Sequence, residues 1–181
     1  MRRSLILLLT CVLGGVVRAD AQEHGRVGVT MGYPAAIGIL WHVSDRVALR
    51  PEFSFSQADS SSESIIASTT DFWSVETGIS ALVFAPVSDN LRTYVAPRFS
   101  YARTHGEGDV TRSTTTSYSI AGMFGAHYSL GRRFAAFGEV GFGYSRQTGS
   151  VTGTVSSTQV RITSRGNSVG TRTGVGVVLY F

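Results

Sequence analysis

The last stretch of the chain, from Asn167 to Phe181, limits the fold more than any other because its side chains alternate strictly. Val169, Thr171, Thr173, Val175, Val177, Leu179 and Phe181 fall on one side of an extended backbone, with Gly170, Arg172, Gly174, Gly176, Val178 and Tyr180 on the other. A two-residue period belongs to a strand; a helix would scatter the same residues around its axis. The chain also stops on an aromatic residue with apolar residues at every second place before it. Such a strand suits the closing position of a sheet whose outer side meets an apolar medium.

The same period recurs upstream. From His24 to Tyr33 it carries Val27, Val29, Met31 and Tyr33 on one side, and Pro34 stops it. Ile37, Ile39, Trp41 and Val43 follow, before turn residues Ser44 and Asp45. A third run, Val47 to Gln57, sets Leu49, Phe53 and Phe55 against Arg50, Glu52, Ser54 and Ser56. Further runs lie near Asp71 to Ala85, Arg92 to Arg103, Thr116 to Leu130 and from Phe134 onward. Turn chemistry at Ser44, Asp89 and Gly131 marks one rim. The polar segments Ala58 to Ser68, Thr104 to Ser113 and Gln147 to Gly166 read as longer loops at the other. Pro51-Glu52-Phe53-Ser54-Phe55 is echoed by Pro97-Arg98-Phe99-Ser100-Tyr101, each rising from a tight turn. The sum is an all-β chain of eight antiparallel strands.

The first residues stand apart. Arg2 and Arg3 precede an apolar run from Leu5 to Val17, and Ala19-Asp20-Ala21 gives a small-x-small cleavage pattern. Residues 1–21 therefore read as a signal peptide and 22–181 as one barrel domain. Cys11, the sole cysteine, leaves with the signal, so the exported chain offers no disulfide and no thiolate. Arg2, Arg3, Arg18 and Asp20 leave too, which takes the 16 basic and 12 acidic residues of the whole chain close to balance. No basic stripe interleaved with aromatics remains, which argues against nucleic acid. Gly141-Phe142-Gly143 and Gly174-Val175-Gly176 precede no helix, so no phosphate loop is predicted. His24, His42, His105 and His127 are too scattered for a metal site, and His105 with Glu107 and Asp109 reads as a solvated loop. No cofactor is expected.

Alternation alone does not say which face is inside, but the bore does. An eight-stranded barrel has an interior just wide enough to be filled by side chains. Trp41, Phe53, Phe55, Trp73, Phe99, Tyr101, Phe124, Tyr128, Phe142 and Tyr144 would overfill it. The opposite parity is mostly Gly, Ala and Ser. The barrel is thus predicted inside out, with aromatics in lipid or at its borders. The charges of the inner parity, Arg50, Arg98 and Arg172 against Glu52, Glu76 and Glu139, balance, and pairing across the lumen would plug it. Solvated charges in a narrow pore are the alternative.

These features resemble the small outer-membrane β-barrel domain family, similar to the transmembrane domain of outer membrane protein A and to opacity-type adhesins. The resemblance rests on the signal, the repeated Pro-x-Phe-Ser-aromatic rise, and Gly176-Val177-Val178-Leu179-Tyr180-Phe181. That last segment, through Gly176, Leu179 and Phe181, looks like the signal read by the barrel-assembly machinery, although Gly174 stands where a polar residue is usual. The resemblance implies a closed or barely permeable monomer in the outer membrane, used for envelope integrity, adhesion or resistance.

One enzymatic alternative remains. His127-Tyr128-Ser129, with Glu139 near in sequence, looks like the His-x-Ser pair of lipid A deacylases, in which a carboxylate orients the His and the His activates the Ser. The segment after Ser129 lacks the continuation of that family, and His127 and Ser129 belong to the lumenal parity beside a short turn. Arg103 and Arg146 keep the outward parity at the far rim, where lipopolysaccharide phosphates would lie. Val151 to Ser164 still alternates, so the last hairpin is expected to reach beyond the membrane, where its edge could bind a surface protein.

Overall fold

The computed structural model describes residues 25–33, 36–62, 68–86, 88, 90–108, 111–155 and 158–181. Among them are eight strands: β1 (Val27–Tyr33), β2 (Ala36–His42), β3 (Val47–Ser62), β4 (Ser68–Pro86), β5 (Leu91–Gly108), β6 (Thr111–Ser129), β7 (Phe134–Val155) and β8 (Thr158–Tyr180). Each pairs antiparallel with the next, and β8 returns to β1 with Tyr180 opposite Gly28 and Val175 opposite Tyr33. The sheet closes into an up-and-down barrel. The segment 1–21, read from the sequence as a signal peptide, and the turn residues Pro34 and Asp89 lie outside the described residues.

Trp41, Phe53, Phe55, Trp73, Phe99, Phe124, Tyr128, Phe142 and Tyr144 are all exposed on the outer wall, and Tyr101 lies half-buried against Tyr118. The outer apolar band runs from Phe134 to Tyr144 on β7, Tyr118 to Tyr128 on β6 and Val169 to Leu179 on β8. Arg146, Thr116 and Asn167 end it on the same parity. Strands of about 9–11 residues at a tilt near 45° cover the hydrocarbon of an outer membrane, so the band has the right height.

The inner face departs from glycine and serine near the short turns. Leu40, Leu82, Phe84, Tyr94, Met123, Val178 and Tyr180 form a buried apolar layer there, together with His42 and His127. These residues sit in short runs such as Leu82-Val83-Phe84 and Val177-Val178-Leu179-Tyr180, where both parities are apolar and alternation carries no inside-out signal. Large inner side chains meet glycines on the adjoining strand. A Cβ on Gly125 would lie 2.3 Å from the Tyr94 ring, so the ring rests directly on that glycine's backbone.

The three polar segments expected as long loops are instead mostly strand. β3 and β4 pair as far as Ser62 opposite Ser68, β5 and β6 to Glu107 opposite Arg112, and β7 and β8 to Val155 opposite Thr158. Above the membrane both faces of a hairpin meet water, so Ser and Thr occupy both parities and the apolar period disappears while pairing continues. β-branched residues such as Thr114, Thr115 and Thr116 favour that extended backbone.

The wall is uneven in height. β1 and β2 have seven residues each, whereas β3 to β8 have 16 or more. β3 pairs with β2 only up to Phe53, and β8 with β1 only back to Val175. Beyond those points, among the described residues, each of the two strands has one partner instead of two, and a notch opens between them. Phe55 on β3 and Val169 on β8 still belong to the outer apolar band, so the notch cuts into its upper part.

Gly141 tests the packing of this wall. A Cβ there would lie 2.0 Å from the Gly122 carbonyl oxygen, a backbone atom that moves only with its strand. Gly141→Ala is expected to lower the unfolding free energy in lipid by about 1–3 kcal/mol. Gly138→Ala, on the same strand with nothing within 4 Å of the added carbon, should unfold like the parent in urea titrations.

Candidate functional site in the barrel lumen

Four inner residues from three regions of the sheet converge above the apolar layer. Arg50 and Glu52 lie two apart on β3 and so share its inner face, Arg98 comes from β5, and Glu139 from β7. Arg50 Nη2 donates to both carboxylate oxygens of Glu139, at 2.7 and 3.0 Å, and Arg50 Nε lies 3.3 Å from Glu52 Oε1. Arg98 reaches Glu52 at 2.9 Å and Glu139 at 3.9 Å. The charges thus alternate around a closed ring, Arg50, Glu139, Arg98, Glu52, with each ion facing two of opposite sign.

The ring fits because its surroundings are small or complementary. Gly38 and Gly174 stand beside Glu52 and Glu139, where an added Cβ would come within 3.0 Å of either side chain. The Tyr94 hydroxyl donates to Glu139 Oε2 at 3.1 Å, and the Arg50 guanidinium lies 5.0 Å from the Phe137 ring centre. Arg50 and Glu139 are buried; at such positions removing one partner strands a charge and costs roughly 3–5 kcal/mol.

The other two charges proposed for this network are placed elsewhere. Glu76 is half-buried on β4 between Ser54 and Ala102, and among the described residues no opposite charge lies within ion-pair distance of it. Arg172 on β8 is exposed and lies along Gly143, likewise without an ion pair among the described residues. Both lie on the inner face but outside the ring. Sharing the inner parity did not bring them into the ring because each stands one inner position further toward the long hairpins: Gly78, not Glu76, is opposite Glu52, and Gly174, not Arg172, is opposite Glu139.

Toward the short turns, the Tyr180 hydroxyl lies 3.1 Å from Nε2 of both His42 and His127. A hydroxyl has one proton, so Tyr180 can donate to only one of the two rings and must accept from at least one. Phe84 stacks on His42 at 5.5 Å and meets Tyr94 edge-on at 5.2 Å, while Arg26 and Arg92 lie over the rings of Tyr180 and Phe84. Arg92 also donates to the Asp45 carbonyl, and Arg26 to that of Arg132, which ties strand ends to neighbouring turns. The sequence reading overlooked Tyr94, and it weighed His42 only as a metal ligand, not as a partner of Tyr180. The available signal was a large inner residue facing glycine on the next strand, as Tyr94 faces Gly125.

The hydrolytic arrangement is not assembled. His127 Nε2 is engaged by Tyr180, and its Nδ1 has no hydrogen-bond partner among the described residues. Glu139, the carboxylate meant to orient it, is held by Arg50 and Tyr94.

At the outer rim Arg103 and Arg146 are exposed on the outer wall, and Arg165 neighbours them on β8 opposite Thr148. Arg112 pairs with Glu107 across the β5–β6 hairpin; its hydrogen bond and charge hold the Glu107 carboxyl below the usual carboxylate range. In the closing strand Leu179 and Phe181 face outward and exposed, while a Cβ on Gly176 would lie 2.6 Å from the Met31 carbonyl and the Phe137 ring.

No known family model matches the chain, and no curated protein matches it. Solved structures do. A major outer membrane protein from Thermus thermophilus aligns with a TM-score of 0.54 at 10% identity, covering 86% of this chain and 98% of that one. Ail, the attachment invasion locus protein of Yersinia pestis, aligns at 0.45 and 9% identity over 87% and 99% of the two chains. Acinetobacter baumannii CarO aligns at 0.41 and 13% identity over 90% and 100%. At these identities the likeness is one of fold. With its eight antiparallel strands closed in a ring and its aromatic outer wall, the chain has the fold of a small outer-membrane β-barrel.

Proposed function

We propose that the protein is an exported, monomeric outer-membrane barrel whose lumen is plugged and which serves a structural or surface-interaction role in the cell envelope. The observation that carries this reading is the placement of ions and rings. A closed ring of two arginines and two glutamates lies inside, above a buried apolar layer, while the aromatic side chains face out. Two successive layers, one ionic and one apolar, cross the bore, which favours a closed lumen over a pore.

Further contacts follow from the outer wall. Arg103 and Arg146 would meet lipopolysaccharide phosphates at the border of the apolar band, with Arg165 as a third cation on the same rim. Gly176, Leu179 and Phe181 would present the closing strand to the barrel-assembly machinery during insertion. On the protruding β7–β8 hairpin Val160 and Ile162 are exposed, and the β8 edge is open beyond Val175; both favour strand addition by a surface protein. The role is non-enzymatic, since the carboxylate and imidazole of the one candidate triad are engaged elsewhere.

Planar-bilayer recording tests the plug. The parent protein should show no resolved channel openings. Glu139→Gln, which leaves Arg50 and Arg98 with Glu52 alone, should cost about 3–5 kcal/mol of stability and admit openings. Steady conductance by the parent would replace the plug with a pore. For the chemistry, lipid A from cells carrying the parent and Ser129→Ala should give identical acyl-chain mass spectra. An acyl chain lost only with the parent would instead establish an ester hydrolase.

A further inference from the structure

The notch in the wall leads into a cleft of about 250 Å³ in the upper lumen, lined by Ser54, Ser56, Ser74 and Glu76 with Phe53 and Phe55 at its edge. The charge ring forms its floor, through Glu52 and Arg98. The floor is neutral as a whole, since its two arginines and two glutamates satisfy one another. Glu76 is not part of that balance and has no ion-pair partner among the described residues. Arg172, the inner cation outside the ring that is nearest it in height, lies against Gly143 and does not line the cleft; Arg26 and Arg92 stack on rings nearer the short turns. One uncompensated negative charge therefore faces a polar, hydroxyl-lined space.

The side of this space is open at the height of the outer apolar band. Lipid cannot satisfy the free backbone groups of a strand edge, so irregular or unpaired backbone is tolerated in a membrane only where it lines a polar cavity. The edges of β3 beyond Phe53 and of β8 before Val175 therefore border a polar space, while Phe53 and Phe55 next to them offer apolar contact.

We propose that this cleft binds an organic cation carrying an apolar stem, its ammonium or guanidinium group seated on Glu76 among the serine hydroxyls and its stem leaving through the notch along Phe53 and Phe55. Three features match that chemistry: a lone carboxylate, neighbouring hydroxyl oxygens that accept hydrogen bonds, and a lateral opening beside Phe53 and Phe55. An anion would meet Glu76 directly. A fully apolar molecule would leave the carboxylate and the hydroxyls unpaired.

The test uses the purified full-length barrel in nonionic detergent, with hexylammonium as probe and hexanoate and hexanol as controls, read by calorimetric titration. Hexylammonium should bind saturably and the controls should not. Glu76→Gln should weaken binding at least tenfold while melting with the parent, because Glu76 has no ion pair to lose. Ser56→Arg, which brings a guanidinium to the cleft without removing the carboxylate, should also abolish binding and serves if Glu76→Gln fails to fold. Equal binding of hexanoate, unchanged affinity in the folded Glu76→Gln or Ser56→Arg barrel, or no saturable binding by the parent would overturn the proposal. The readout is binding, so it is independent of whether the lumen conducts.

Discussion

The bore of an eight-stranded barrel is about as wide as the side chains that point into it, and this one dimension sorts the whole sequence. Ten aromatic residues on one parity would not fit there, so they face outward, and the outside of the molecule becomes the apolar side. What is left for the inside is glycine, serine, alanine and a few long polar groups, each of which needs an empty position beside it. Gly125 beneath Tyr94, Gly38 beside Glu52 and Gly174 beside Glu139 supply those positions. At these positions glycine makes room for the large side chains of the inner face.

Once inside, the ions have little choice of partner. Water is scarce at Arg50 and Glu139, and a lone charge there would be expensive, so the stable arrangement is a ring in which every ion sees two of opposite sign. The ring ties β3, β5 and β7 together through the middle of the barrel, adding to the hydrogen bonds that run around its wall. The His42, Tyr180 and His127 chain makes a similar cross-link between β2, β8 and β6 nearer the short turns. Both sets of contacts cross the bore and hold opposite strands together. Above them, among the described residues, β3 and β8 each lose one neighbour where β2 and β1 end.

Strand number, direction and inside-out polarity were legible in the sequence because the membrane imposes alternation on every strand that crosses it. Where the membrane ends the signal ends too. The Ser- and Thr-rich hairpin arms around Ser60, Thr114 and Ser150 remain paired strands, yet nothing apolar marks their period. The four ring members were recognisable as inner charges, but parity says only that a residue points inward and not at what height it stands, so Glu76 and Arg172 were grouped with partners they do not reach. The apolar layer of Leu40, Leu82, Phe84 and Tyr180 was hidden for a different reason: near the short turns both faces are apolar. The short β1–β2 hairpin was visible in the early Pro34, but its effect on the facing edges of β3 and β8 needed three dimensions.

Trp41 and Trp73, the only two tryptophans, both stand on the outer wall, one toward the short turns and one toward the long hairpins. Their fluorescence in liposomes reports directly on which face meets lipid. Acyl chains carrying bromine should quench both tryptophans, while aqueous iodide should leave them largely unquenched. Strong quenching by iodide with no effect of brominated lipid would put the aromatic face away from hydrocarbon and contradict the inside-out barrel.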